Sequence, residues 1–361
     1  MPARASWGLT RRGITRFFGK TVKTLSVKYT LPSLTVAAVA GVFAAILMLR
    51  PGADEKTSPQ REQGKTEQSS TQRDQGPSLA RRASVVATEK SPAGNEVLRQ
   101  AADRIGRYAS IQGKVRQRAD LLGRQLVGSG TYRQLGHGLT TRLRFELRMQ
   151  ATDQVSNLLT VCDGKFLWRH ADYDGQTTFE RIDLAKVQKS IDDQAKASGA
   201  GEGRGGLGVT TLGMSLGGLP ALLAGLADNF VFAQVEQDSL ERLPVTVLGG
   251  EWQPQRLAQL IPRQRAAILA GQAADLSELP AQAPHRVVVF LGRDDLFPYR
   301  IEYLRTPSKK DAGFDPANAQ PRPIVVMEFF EVQANVALPE ATFQYPATGW
   351  PFVDATQRYL R

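Results

Sequence analysis

Gly213-Met214-Ser215-Leu216-Gly217 has the G-x-S-x-G spacing of a serine hydrolase's nucleophile elbow. In that elbow a buried strand ends at the serine, a helix begins just after it, and an acid and then a histidine follow downstream. Asp228 or Asp238 and then His285 meet the order on paper. The context does not, because "GEGRGGLGVTTL" ahead of Ser215 is too short and glycine-rich for a central strand. The glycines instead suit an approach to a helix that carries Pro220 in its first turn. A serine esterase at Ser215 is therefore the weakest of three functional readings.

Other reactive residues are scattered. His137, His170 and His285 show no H-x-x-x-H spacing, so no metal set is implied. Asp172 and Asp174 stand near His170, yet "ADYDG" is turn chemistry and lacks the twelfth-position Glu of a calcium loop. No glycine-rich phosphate loop is present. Cys162 is the only cysteine, which rules out an intrachain disulfide and a thiolate zinc cluster. The chain is read as a non-enzyme with no cofactor, no metal and no catalytic residue.

The elements that would position a site are unevenly spread over the 361 residues. Seven basic residues and no acid lie before Thr30, so this tail carries +7 of the formal +11, and the remainder only +4. A nucleic-acid partner is excluded on that distribution, since a polyanion-binding domain concentrates charge on its folded part. Residues 31–49, "LPSLTVAAVAGVFAAILML", hold no charge and would span roughly 28 Å as a helix. They read as an uncleaved signal anchor, with residues 1–30 cytoplasmic and everything after Arg50 outside the cytoplasm. Residues 50–93 are rich in Gln, Ser, Thr, Gly and Pro, the composition of a disordered linker with a reach of about 35 to 40 Å.

The folded part is residues 94–361. Val97, Leu98, Ala101, Ala102, Ile105 and Tyr108 predict an amphipathic helix. "RLRFELRMQ" then alternates, with Leu143, Phe145, Leu147 and Met149 on one face and Arg142, Arg144, Glu146 and Arg148 on the other. "LVGSGTYRQ" precedes it, and "QVSNLLTVC", "KFLWRH" and "TTFERIDL" follow across turns at Asp163-Gly164 and Asp174-Gly175, an antiparallel meander. Further strands are expected at 230–235, 244–248, 286–291, 298–304 and 324–333. Helices are expected at 184–197, 219–227 and 254–274, with a glycine-rich loop at 198–208.

"RLRFELRMQATDQVSNLLTVCDGKFLWRH" resembles the central strands of the LolA/LolB lipoprotein-carrier superfamily, which continue into D-G-K-x-L-W, here Asp163 to Trp168. In family order come the first helix with "VGSGTY", the apolar "LPALLAGLADNFVF", and the close "NVALPEATFQYPATG". The resemblance covers about residues 96–354. It implies an α+β fold, an open, strongly curved antiparallel half-barrel sheet wrapped over helices, with an apolar cavity for acyl chains. Leu143, Phe145, Leu147 and Met149 would line that cavity, Trp168 would stand near its rim, and Leu222 and Leu223 would sit on a lid-like helix. At ~0.8 kcal/mol per CH2, burying a sixteen-carbon chain offers on the order of 10 kcal/mol before ordering costs.

The chain departs from the family pattern. Arg142 precedes Phe145 by three residues rather than four, with no proline after it, so alternation puts Arg142 on the opposite face. Expansions occur at about 185–212, 249–285 and 305–322. The expected protein is thus a single-pass inner-membrane protein whose periplasmic domain binds lipid or an acylated protein. The alternative is a regulatory or structural ectodomain of the RseB type, which contacts another envelope protein through the same sheet.

Overall fold

The computed structural model describes residues 93–121, 124–151, 154–173, 176–197, 207–280, 282–308, 319–345, 349 and 351–360. The basic tail, the apolar segment 31–49, the linker and the turn at Asp174-Gly175 lie outside the described residues. Among the described residues no helix is long and apolar enough to cross a membrane.

Helix α1, Ala93–Ile105, forms as its periodicity predicts, with Leu98, Ala101, Ala102 and Ile105 buried on one stripe. Glu96 in its first turn and Arg104 in its last oppose the helix dipole. Strands β1 (Ser110–Leu121), β2 (Arg124–Leu135), β3 (Arg142–Ala151), β4 (Gln154–Cys162), β5 (Phe166–Tyr173) and β6 (Gln176–Asp183) then run as an antiparallel meander. After helices α2 (Leu184–Ala197) and α3 (Leu207–Asn229) come β7 (Phe230–Leu240), β8 (Leu243–Trp252), β9 (Arg286–Gly292), β10 (Pro298–Arg305) and β11 (Arg322–Ala334). The short β12, Val353–Asp354, pairs in parallel with β6.

The described strands make one open, twelve-stranded sheet in the order β12-β6-β5-β4-β3-β2-β1-β11-β10-β9-β8-β7. This is the open α+β sheet that was expected, with one parallel pair added. Strand β1 is the seam, paired with β2 on one side and β11 on the other. The sequence reading missed it for a physical reason. Its inward row is Ile111, Gly113, Val115, Gln117 and Ala119, and a glycine and a glutamine dilute the apolar alternation.

Gly130 shows why β2 carries glycines. A Cβ there would stand 1.8 Å from the carbonyl oxygen of Glu146, so β2 and β3 could not pair as they do with a side chain at this position. The helix expected at 254–274 is instead α4, Pro254–Leu260, a 3-10 turn at Pro262–Gln264, and α5, Arg265–Leu269. Pro262 imposes the break, because a residue before proline is pushed out of the helical region, and Ile261 has φ −123° and ψ 71°.

Candidate ligand face and the C-terminal strap

The ladder registers divide the expected site residues between two faces. Leu143, Phe145, Leu147 and Met149 share the inner face with Tyr132, Leu158, Cys162 and Leu167 on the neighbouring strands. They are 0, 2, 3 and 1 % exposed, so the inner face is closed over them. Trp168 pairs with Val161, and Val161 with Arg144, which puts the indole on the outer face. The structure therefore does not bring Trp168 together with the four β3 residues. Arg142 is also on the outer face and pairs with Glu340 at 2.8 Å.

Helix α3 faces the inner side. It begins twelve residues earlier than the expected start at 219, at Leu207, and breaks at Gly218, where φ is 67° and ψ −156°. Leu219 and Leu223 are fully buried, whereas Leu222 is half-buried against the core. The break has a polar latch. Tyr132 Oη donates to Gln134 Oε1 at 2.5 Å and accepts from the Leu219 N–H at 3.0 Å. That N–H is one that the interrupted helix leaves without an intrahelical partner. Burial pushes the Tyr132 phenol well above the ordinary tyrosine range, so it stays a neutral donor.

A second latch ties α1 to the same helix. Asn95, 2 % exposed, donates to the carbonyls of Ala227 and Phe230, each at 2.8 Å, and accepts from the Phe232 N–H at 2.7 Å. One amide thereby joins the start of α1, the end of α3 and the start of β7. The sequence reading missed Tyr132, Gln134 and Asn95 as positioning residues. "AGNEV" at a helix start and a Tyr-x-Gln in a strand were the available signals, and neither names its distant partner.

On the outer face the chain end forms a strap. Phe343 is buried beside β3, and Arg144 Nη1 donates to the Thr342 carbonyl at 3.4 Å. Tyr345 stacks on Trp168 and on Phe179, with ring centroids 5.6 and 4.7 Å apart. Phe352 meets Trp168 edge-on at 5.4 Å. Arg181 places its guanidinium 4.7 Å from the Phe166 ring centre and 4.2 Å from that of Phe352. Its Nε is buried without a hydrogen-bond partner, and the two ring faces supply the electrostatic compensation. Past β12, Arg169 on the inner face donates to the Tyr359 hydroxyl at 3.3 Å, so the strap turns the sheet edge.

Ser215 lies within α3 and not at a strand-to-helix turn, so the nucleophile-elbow geometry is absent. Among the described residues no cluster of His, Cys, Asp and Glu could hold a metal ion. Cys162 donates to the Thr141 carbonyl at 3.3 Å, and burial pushes its thiol up to about 11. A cavity of about 370 Å³ lies at the other end of the sheet, where Trp252, Leu257 and Leu276 meet Glu251, His285 and Arg286. None of the seven expected site residues lines it.

No protein-family model matches the chain, and no curated protein does. Among solved structures, the chain is similar to lipoprotein LppX of Mycobacterium tuberculosis, at 10 % identity and TM-score 0.33, covering 69 % of this chain and 99 % of that one. An outer membrane lipoprotein-sorting protein domain from Vibrio parahaemolyticus matches at 10 % identity and TM-score 0.29, covering 74 % and 98 %. MucB in the Pseudomonas aeruginosa MucA/MucB complex matches at 14 % identity and TM-score 0.29, covering 70 % and 61 %. At these identities and scores the likeness carries no argument about fold, superfamily or ligand.

Proposed function

We propose that residues 94–361 form an extracytoplasmic domain that binds acyl chains of a lipid or lipoprotein between the inner sheet face and α3, without catalysis. The carrying observation is α3 itself. It bears no charged residue from Leu207 to Ala227, is broken at Gly218, and packs Leu219, Leu223 and Leu226 into one apolar cluster with the β3 row of the inner face. An acyl chain offers that face the same chemistry that α3 does. Because Leu143, Phe145, Leu147 and Met149 are buried here, this is a closed state, and access requires α3 to swing away about Gly218. Segment 31–49 would hold the domain to the inner membrane, and the linker would set its reach.

Native mass spectrometry of the 94–361 fragment, secreted and purified without detergent, tests the reading. Co-purifying acyl species that are lost when Leu222 is replaced by Ser support it. A fragment free of lipid at every protein concentration, and refractory to added fatty acid, overturns it.

One observation favours the second reading, a regulatory or structural ectodomain for an envelope protein partner. The inner face is filled by the chain's own side chains, as a scaffold would have it. The same mass-spectrometric result separates the two, since a scaffold carries no acyl chain.

A further inference from the structure

The outer face of β1 to β4 carries a feature that acyl binding does not use. Two adjacent rows cross it. In one, Arg116 pairs with Ser129, Ser129 with Arg148, and Arg148 with Asn157. In the other, Arg118 pairs with Val127, Val127 with Gln150, and Gln150 with Val155. All eight residues are exposed. Val127 and Val155 are 49 and 40 % exposed, among the most exposed large apolar side chains described. No Asp or Glu stands in these two rows between β1 and β4, and the first row runs on to Glu328 beside Arg116 and to Asp172 beside Asn157. Arg116 has a loose ion pair with Glu328 at 3.7 Å, while Arg118 and Arg148 have none among the described residues.

We infer that these rows are a docking surface for an anionic membrane, with the arginines on lipid phosphates and the two valines at the headgroup level. The shape decides between a bilayer and an acidic protein. Strands about 4.8 Å apart present the cations on an exposed sheet face, spread out for separate headgroups rather than gathered on one carboxylate. Exposed valines between cations match an interface that is itself apolar beneath and anionic above. The cation count sets the strength. Each basic residue near an anionic surface contributes on the order of fivefold, so the three arginines together contribute on the order of a hundredfold.

The test uses the full chain with Asn157→Cys carrying an environment-sensitive fluorophore, Cys162 being buried and not labelled. The chain is mixed with phosphatidylcholine vesicles, with or without phosphatidylglycerol, that contain brominated lipid. Quenching of the probe is expected only with phosphatidylglycerol and should disappear at high salt. Arg116→Gln, Arg118→Gln and Arg148→Gln combined should lower the docked-to-free ratio on the order of a hundredfold, and the corresponding Lys triple should retain docking. Equal quenching on neutral vesicles, or none lost in the Gln triple, overturns the proposal. So does tight binding of poly-glutamate without any vesicle response, which would assign the rows to an acidic protein. The outcome is independent of acyl binding, because the probe at residue 157 stands on the outer face and mass spectrometry reports the inner face.

Discussion

Trp168 on β5 and Tyr345 in the segment after β11 stack with their ring planes 23° apart and their centroids 5.6 Å apart. The contact pins the C-terminal strap across the outer face of the meander. Tyr345→Ala should destabilise the domain by about 2 kcal/mol, because it removes stacking on both Trp168 and Phe179. Urea unfolding followed by tryptophan fluorescence measures this, and a loss under a few tenths of a kcal/mol would show the strap to be loose.

Tyr132→Phe keeps the ring and removes one oxygen. It leaves the Leu219 N–H with only the longer 3.3 Å contact to Gln134 Oε1. A cost of about 1 to 3 kcal/mol is expected for under-satisfied buried polar groups. If α3 is a lid, hydrogen exchange of residues 214–227 should accelerate more than that of β3. Uniform acceleration would argue against a separately moving helix.

Gly218→Ala attacks the same break from the backbone. A Cβ there would lie 2.0 Å from Gln134 Oε1, on a residue whose φ is 67°. Strain and the displaced amide together predict a loss of at least about 2 kcal/mol, read from the thermal midpoint. A variant as stable as the parent would mean that the break is not fixed by this glycine.

Asn95→Ala deletes three hydrogen bonds at once, two to carbonyls and one from an N–H. Each buried group left unpaired costs about 1 to 3 kcal/mol, so this exceeds the effect of Tyr132→Phe. Equilibrium urea curves of both variants give the order directly, and the reverse order would demote the α1 latch.

Stability should fall on the alkaline side. The Cys162 thiol is pushed by burial from its ordinary 9.0 up to about 11. A group whose pKa is higher in the folded state stabilises fully below its unfolded value, and that contribution is lost as pH rises through the folded value. The plateau should therefore hold to about pH 9 and decline between 9 and 11. The buried phenols of Tyr132 and Tyr303, both raised by burial, add a further decline above their ordinary 10.0. Thermal midpoints against pH check this, with Cys162→Ala expected to move the onset toward the tyrosine range.

The meander from β2 to β6 and the helix α1 were legible because each buries one face, which writes a period of two or 3.6 directly into residues such as Leu143, Phe145, Leu147 and Met149. Helix 184–197 has the bounds that were expected. Strand β1 was not, since Gly113 and Gln117 break its inward row, and the two-residue β12 is too short to show any period. The extent of α3 was hidden because "GVTTLGMSLGG" has poor helix propensity.

The sequence alone determined which residues are apolar, their alternation along each strand, and so which side chains share a face within one element. Only the tertiary structure decided what covers each face. Trp168 belongs with Tyr345 and Arg181 on the outside, and β3's apolar row is closed under α3, because ladder register and chain crossings are set by contacts between segments far apart in sequence. No local pattern encodes such contacts, since a strand's period says that a face is buried and is silent about what buries it.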